Sequence, residues 1–461
     1  MAGRPAGRCV TLWPLAMLPV LLLLMLSGYP AAFALGATAV LFTLLASDLL
    51  PAIGLGLPWQ PVFHAVEMHV VPQRLYGSIL ENYTLVAVPF FVFMGVMLER
   101  SGLAEDLLQT MGRLFGRLRG GLAISVVLVG VLLGASTGVV GASVVTMAVL
   151  ALPVMLRQGY DPRLAAGTIA ASGTLGQIIP PSLVLIVLGD QMGVNVGQLF
   201  VGAIVPGLLL AALYIAWVGL LAWRRPTLAP ATDESRSPSA SRPLWLALVV
   251  SLVPPLLLML LVLGSILAGV ASPTEAGALG ALGATLLAFA NRRLTLRTFR
   301  EAGASTVRLS SIVFMVLIGA TAFAAVFGAL DGQALVTGAL TGLPGGQWTF
   351  ILLVTLIVFL LGFFLDFIEI SFIVVPLIVP AALALGVDPL WLGILIALNL
   401  QASFLTPPLG FSLFYLRGAA GDLLTTMDIY RGVMPFIALQ LLLIVLVMLF
   451  PALVLWLPGR I

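Results

Sequence analysis

Long apolar runs without a single charge constrain this chain more than any other feature. Residues 120–156 contain no Asp, Glu, Lys or Arg. One helix of that length would extend about 55 Å, well beyond the roughly 30 Å hydrocarbon core of a bilayer. Such runs recur through most of the sequence, which is 61% hydrophobic and 8% charged, against about 25% charged residues in soluble domains. The chain is therefore predicted to be an all-α polytopic membrane protein, and soluble enzymes are excluded.

The basic residues are interpreted as topology signals. All 21 are arginine, and the net charge of +3 is too small and too scattered to indicate a nucleic-acid partner. One cysteine rules out a disulfide framework, and two histidines leave little material for a Cys/His metal site. Arg4 and Arg8 precede an apolar run that we interpret as the first membrane helix and not as a cleaved signal peptide.

A polar segment divides the chain. Residues 224–243 are rich in Pro, Ser and charge and carry four arginines, which predicts a cytoplasmic linker because short arginine-bearing loops stay inside. The first half is then 1–223 and the second 244–461. The membrane spans predicted outside the two hairpins and two broken helices described next are 12–26, 31–50, 85–98, 197–223, 244–267, 276–290, 310–330 and 433–457.

The two halves repeat each other at a constant offset of 227 residues. The recurring residues are Pro153 at Pro380, Gly159 at Gly386, Asp161 at Asp388, Pro162 at Pro389, and Pro180-Pro181 at Pro407-Pro408. Internal repeats are typical of secondary transporters. Arginines flank residues 120–156 on both sides, whereas the corresponding stretch 348–386 has none. The arginine distribution therefore predicts that the halves are inverted in the membrane.

Each half is predicted to contain a re-entrant helical hairpin. The first spans about 120–157, with a tip at 134–141, and the second about 348–385, with a tip at 362–371. Arms of some 14 or 15 residues, roughly 22 Å long, are too short to cross. Asp366 and Glu369 lie in the second tip, where an ionisable group normally faces a cavity, a partner or an ion. The alternatives are a small-residue packing face for the first tip, a salt bridge for Asp366 and a wet cavity for Glu369.

A broken membrane helix follows each hairpin, at about 163–190 and about 390–416. Adjacent prolines remove two N–H donors, so carbonyls upstream lose their partners. Those carbonyls, with Ser182 or Thr406 nearby, are suitable ligands for a cation, and the following half-helix favours an anion at its N-terminus. Simple kinks without ligand function are the alternative. Both termini are predicted outside, although Arg4 and Arg8 argue for the opposite orientation.

Four motifs resemble signatures of one transporter family. The runs GTLGQIIPPS (173–182), SPTEAGALG (272–280), LGFFLD (361–366) and FLTPPLG (404–410) are similar to those of the large membrane (permease) subunit of tripartite ATP-independent periplasmic (TRAP) transporters. The resemblance implies a multi-pass protein of the bacterial inner membrane that imports an organic acid with sodium by an elevator motion. It also implies two partners, a small TRAP membrane subunit and a periplasmic solute-binding protein, and no cofactor besides sodium ions.

The resemblance places ion and substrate binding on the two tips and the two breaks. Sodium is expected near Ser136, Thr137, Ser182, Asp366 and Thr406. The first tip has fewer serines than is usual in the family, which makes Ser143 the candidate replacement ligand. The complete candidate set is Ser136, Thr137, Gly138, Ser143, Gln177, Pro180, Pro181, Ser182, Asp366, Glu369, Asn399, Gln401, Thr406, Pro407, Pro408 and Gly410.

Other functions stay open from the sequence. A single-component sodium/anion symporter of the same broad superfamily is the first alternative, and a channel is another. An intramembrane enzyme is disfavoured, because there is no HExxH pair and no histidine within the apolar spans. Ser272-Pro-Thr-Glu275 predicts a helix capping box. His64 and His69 are assigned to an interfacial amphipathic segment within 58–83 and not to a metal site.

Overall fold

The computed structural model describes residues 13–46, 70–137, 140–231 and 243–460. Within them every regular element is helical. The first half contains α1 (Met17–Leu26), α2 (Ala31–Leu44), α3 (Val70–Leu75), α4 (Tyr83–Arg100), α5 (Leu103–Phe115), α6 (Gly121–Thr137), α7 (Val140–Arg157), α8 (Pro162–Thr174), α9 (Leu183–Met192) and α10 (Val196–Arg224). The second contains α11 (Leu244–Leu267), α12 (Pro273–Ala290), α13 (Leu296–Ala329), α14 (Gly332–Thr341), α15 (Gly346–Leu361), α16 (Phe367–Ala384), α17 (Pro389–Leu405), α18 (Phe411–Ala420), α19 (Thr426–Leu449) and α20 (Ala452–Leu455).

The length and apolarity of these helices fit a membrane protein. By length and composition, seven of the described helices could cross a bilayer. The span predicted at 433–457 was wrong in its bounds, because α19 begins at Thr426 and ends at Leu449, just before Pro451. The predicted capping box is confirmed: Ser272 Oγ accepts a hydrogen bond from the Glu275 amide, and the Glu275 carboxylate accepts one from the Ser272 amide. Arg4, Arg8, His64, His69, Gly138 and linker residues 232–242 lie outside the described residues.

The described chain falls into two compact units. We call Met1–Tyr83, Ser311–Val354 and Ile368–Asp388 the small unit, and Thr84–Ser310, Thr355–Phe367 and Pro389–Ile461 the large unit. Each unit therefore takes segments from both sides of the predicted linker. In the small unit, α13 packs closely on α2, where a Cβ placed on Gly319 would lie 2.5 Å from the Ala32 carbonyl oxygen. Gln333 Nε2 also donates to the Pro376 carbonyl at 3.0 Å, which ties α14 to α16.

In the large unit, α6 and α7 form a helical hairpin. Its two ends meet at the beginning of the predicted linker, since the Gly120 amide donates to the Ala229 carbonyl and the Asp161 amide to the Leu228 carbonyl, each at 3.0 Å. Both ends of the hairpin therefore lie on the side of the molecule where residues 228–229 lie. The tip between α6 and α7 is narrower than the predicted 134–141, because α6 continues to Thr137 and α7 begins at Val140.

The hairpin arms are longer than the sequence suggested. α6 has 17 residues and α15 has 16, while α7 and α16 have 18 each. By length and composition alone, α7 and α16 are long enough to cross a membrane. That the two tips stop inside the bilayer stays a prediction.

The first broken helix begins with a side-chain cap. Asp161 is the N-cap of α8, and its Oδ1 accepts from the Arg163 and Leu164 amides while Pro162 occupies the first turn. After a short 3₁₀ turn, Leu175–Gln177, the chain bends through the proline pair before α9 starts. In the second half, α17 begins at Pro389 and the chain bends between Leu405 and Phe411.

Within the large unit, each broken helix packs on the final helix of the other half. A Cβ on Gly167 of α8 would clash with the Gly432 carbonyl of α19, and a Cβ on Gly393 of α17 would lie 3.0 Å from Leu199 of α10. Thr174 and Gln401, which are 227 residues apart, lie 3.5 Å from each other. This reciprocal packing is what a two-fold relation between the halves produces. Their opposite orientation in the membrane stays a prediction.

Candidate functional site

The first proline break frees a main-chain oxygen at Gln177. An α-helical carbonyl accepts from the amide four residues later, and for Gln177 that residue is Pro181, which has no N–H. The hydroxyl of Ser182 replaces the missing donor, with Oγ 2.6 Å from the Gln177 oxygen. Gln177 and Ser182 are both fully buried. A carbonyl has two lone pairs, so the Gln177 oxygen keeps capacity for a second partner.

The second break repeats this arrangement at the equivalent position. Phe404 lies 227 residues after Gln177, and its carbonyl loses its donor because Pro408 follows four residues later. Here the hydroxyl of Ser412 donates to the Phe404 oxygen at 2.7 Å. Ser412 was missed by the sequence analysis. The Thr406 hydroxyl, a predicted ligand, donates to the Ala402 carbonyl at 2.7 Å within its own helix.

Several unpartnered polar atoms lie on the two broken helices. Among the described residues, both amide atoms of Gln177, Oδ1 of Asn399, Oε1 of Gln401 and the Thr168 hydroxyl are buried without a hydrogen bond. The other amide ends are engaged: Asn399 Nδ2 donates to the Thr355 carbonyl at 2.6 Å, and Gln401 Nε2 lies 3.5 Å from Thr174 Oγ1. A buried polar group without a partner costs about 1–3 kcal/mol. Such atoms fit a place where water, an ion or a ligand supplies the missing partners.

The first tip is held against the first break by glycines. A Cβ placed on Gly134 of α6 would lie 2.5 Å from the Gly176 amide nitrogen, and one on Gly130 would lie 2.6 Å from Ser172 Cβ. Gly130 and Gly134 therefore do form a small-residue packing face, which was the alternative interpretation of this region. Ser136 and Thr137 end α6 beside this contact, but their side chains are outside the described part of the structure. Ser143 is buried on α7.

The second tip contains Asp366 and packs on α17 through Gly362. Asp366 lies between α15 and α16, and its Oδ1 accepts from the Phe367 amide at 2.6 Å. A Cβ on the neighbouring Gly362 would clash with Ser403 Oγ of α17, so the tip packs directly on that helix. Glu369 lies in the first turn of α16 and belongs to the small unit.

The bend after Pro407-Pro408 leaves room only for a glycine at its end. A Cβ on Gly410 would lie 2.7 Å from the Phe404 oxygen and 2.9 Å from the Thr406 oxygen. Gly410 is also the N-cap residue of α18. Pro408 is exposed, and its carbonyl accepts from the Tyr430 hydroxyl at 2.9 Å. At the first break, Pro180 and Pro181 are both buried. Both proline pairs contain a cis peptide bond.

Many apolar helices, a helical hairpin and two proline-broken helices with freed oxygens define a polytopic membrane transport protein. A solved structure shows the same overall fold: the Alcanivorax borkumensis YdaH transporter matches with a TM-score of 0.63 and 16% identity, covering 91% of this chain and 98% of that one. The family model of the "Tripartite ATP-independent periplasmic transporter, DctM component" matches residues 18–453. The chain belongs to this family. It is the large permease subunit of a TRAP transporter and a multi-pass inner-membrane protein.

Characterised relatives differ in the substrates that their names state. The C4-dicarboxylate TRAP transporter large permease protein DctM of Pseudomonas aeruginosa is 32% identical over 82% of this chain and 87% of its own length. The sialic acid TRAP transporter large permease protein SiaM of Vibrio cholerae is 27% identical over 94% of this chain and 96% of its own. The isethionate TRAP transporter permease protein DctMQ of Oleidesulfovibrio alaskensis is 29% identical over 96% of this chain and 66% of its own.

Proposed function

We propose that this permease subunit imports an organic acid anion together with sodium ions. The observation that carries the proposal is the pair of freed carbonyls at Gln177 and Phe404, at equivalent positions of the two halves, beside buried amide atoms without partners. Oxygen atoms that are already desolvated and directed by a broken helix suit a small hard cation. C4-dicarboxylates are the first substrates to test, because the Pseudomonas aeruginosa relative bears that name.

Charge compensation supplies the coupling in this proposal. Placing a carboxylate in a low-dielectric site is costly unless a positive charge accompanies it. Sodium at the breaks offsets that charge, and the N-termini of α9 and α18 add the favourable end of a helix dipole. Asp366, at the second tip, supplies the negative ligand that makes sodium binding a precondition for anion binding. The hairpin and the broken helices would then move together as the elevator.

We propose two protein partners on family grounds. A periplasmic solute-binding protein would deliver the acid, and a small TRAP membrane subunit would join the permease in the bilayer. Exposed apolar side chains on the described spanning helices, such as Leu257 and Leu260 of α11, are compatible with either lipid or a membrane partner.

Uptake by proteoliposomes tests the proposal. The permease is reconstituted with a TRAP small subunit and a solute-binding protein from the same organism, and uptake of succinate, N-acetylneuraminate and isethionate is measured with and without an inward sodium gradient. We expect sodium-driven uptake of one acid that is abolished in Asp366→Ala and retained in Asp422→Ala, an exposed carboxylate just after α18. Uptake independent of sodium would contradict the coupling.

Omitting the partners distinguishes the alternative function. If the permease alone transports the acid at the full rate, it is a single-component sodium/anion symporter and the proposed partners are not needed. Uptake that requires both partners supports the tripartite assembly.

A further inference from the structure

Tyr415 of α18 lies against the first hairpin, and the sequence did not single it out. The residue is 43% exposed, although it follows the second break by only a few residues. Within the part of the chain that the structure describes, its hydroxyl makes no hydrogen bond. The Tyr415 hydroxyl can therefore donate a hydrogen bond to a ligand.

The hydroxyl end of the ring touches the first hairpin. A Cβ placed on Gly141 would lie 2.9 Å from Tyr415 Cζ and 3.0 and 3.1 Å from the two Cε atoms. Cζ carries the hydroxyl, so the polar end of the tyrosine rests against the backbone at the beginning of α7, immediately after the first tip. Gly141 makes this approach possible because it has no side chain.

The same side chain faces the second tip. The Asp366 carboxylate is near enough to interact electrostatically with the Tyr415 phenol. Gly141, Asp366 and Tyr415 all belong to the large unit. One phenol therefore lies against the beginning of α7 and within electrostatic range of the Asp366 carboxylate.

The guanidinium of Arg417, on the same helix, is partly engaged by main-chain carbonyls. Arg417 Nη1 donates to the Gly421 carbonyl at 2.5 Å and also to the Leu424 carbonyl, so it stabilises the end of α18. The Tyr415 hydroxyl is a further donor for an anion that enters beside Asp366.

We propose that Tyr415 binds a carboxylate group of the transported acid through its hydroxyl and is a determinant of substrate affinity. This inference rests on the proposed function. Sodium at Asp366 removes the repulsion between that carboxylate and the substrate, and the phenol then donates to the substrate oxygen. The contact with Gly141 fixes the ring.

Tyr415→Phe removes only the hydroxyl and tests the inference. A hydrogen bond to a charged group contributes enough that its loss weakens binding about tenfold or more. At saturating sodium, succinate should raise the midpoint of thermal unfolding of the purified protein. We expect the succinate concentration that gives half of the maximal rise to be about tenfold higher in Tyr415→Phe than in the wild type. The midpoint without substrate and the sodium concentration for half-maximal uptake should not change. Tyr29→Phe, which removes an exposed tyrosine hydroxyl elsewhere, is the control.

Gly141→Ala provides a second, independent variant. Its new methyl group displaces the tyrosine ring, so we expect a similar loss of affinity. In the double variant with Tyr415→Phe the two losses should not add, because both act on one hydroxyl.

The outcomes separate this inference from the proposed function. If the wild type transports an acid with sodium and Tyr415→Phe binds that acid as tightly, the inference is overturned and the proposed function stands. A lower midpoint without substrate, with unchanged affinity, would assign Tyr415 a structural role and overturn the inference. If the wild type transports none of the three acids, both fail.

Discussion

At the scale of single residues, the two breaks share one device. In each half a proline removes the donor for one buried carbonyl, and a serine beyond the break supplies a hydroxyl instead, Ser182 for Gln177 and Ser412 for Phe404. The two serines lie five and eight residues from their acceptors, so they are not at equivalent positions of the repeat. The Gln177 and Phe404 carbonyl oxygens each accept a hydrogen bond from a serine hydroxyl, although the serine occupies a different position in each half.

Removing either serine hydroxyl should therefore destabilise the protein. We expect Ser182→Ala and Ser412→Ala each to cost about 1 kcal/mol, because a buried carbonyl loses its only replacement donor and hydrogen bonds in membrane proteins contribute modestly. The measurement is the midpoint of thermal unfolding in detergent. Ser27→Ala is the control, since the Ser27 hydroxyl also donates to a main-chain carbonyl, that of Leu23, but is exposed. Equal midpoints in all three variants would show that the hydroxyls do not stabilise the breaks.

Sequence reasoning could predict the freed oxygens but not their serine partner in the second half. The loss of a donor is local, because it follows from proline chemistry at a fixed spacing. The contact of Ser412 with Phe404 depends on the path of the chain through the bend, and Thr406 was the nearer hydroxyl in sequence. Tyr415 escaped for the same reason, since Gly141 and Asp366 approach it only in the folded structure.

At the scale of elements, glycines set how closely the first hairpin packs on the broken helix. Gly134 and Gly176 meet backbone to backbone, so neither position has space for a side chain. The sequence predicted that the glycine-rich stretch would turn, and α6 instead continues through Gly134 to Thr137. Gly134 therefore permits close packing of α6 on the first break and does not form a bend. The existence and approximate position of most spanning helices were predictable, because uncharged runs and prolines act locally, but several helix ends were not.

Gly134→Ala and Gly176→Ala should separate α6 from the first break. We expect loss of transport activity and a drop of at least about 2 kcal/mol in stability, because overpacking forces the backbones apart. Gly264→Ala in α11 is the control: nothing lies within 4 Å of a Cβ there, so the change should be neutral or slightly stabilising. Unfolding midpoints and uptake of the four proteins decide the matter, and an active, stable Gly134→Ala protein would contradict the account.

At the scale of the whole molecule, the two halves of the chain interlock within the large unit. The broken helix of each half packs on the final helix of the other, through Gly167 against Gly432 and Gly393 against Leu199. The sequence predicted the repeat from prolines in one register, but it could not predict this exchange, because nothing in the spacing says which helices become neighbours. The division into small and large units also crosses the linker boundary.

Interlocked halves should assemble without a covalent connection. We expect residues 1–231 and 243–461, expressed together as separate chains, to co-purify and to retain transport, since the contacts between the halves are buried and the cut falls in the polar linker. A chain cut within α10 is the control and should not assemble, because it divides a helix that packs on α17. Failure of the first pair to co-purify would show that the linker is needed to hold the halves together.

Direct binding of radioactive sodium to the purified permease tests the central claim, that the proline breaks and the acidic tip hold the coupling ion. The account predicts saturable sodium binding by the wild type and a marked loss in Asp366→Ala, with Asp422→Ala binding as the wild type does. A wild type that binds no sodium, or an Asp366→Ala protein that binds as much as the wild type, would contradict it.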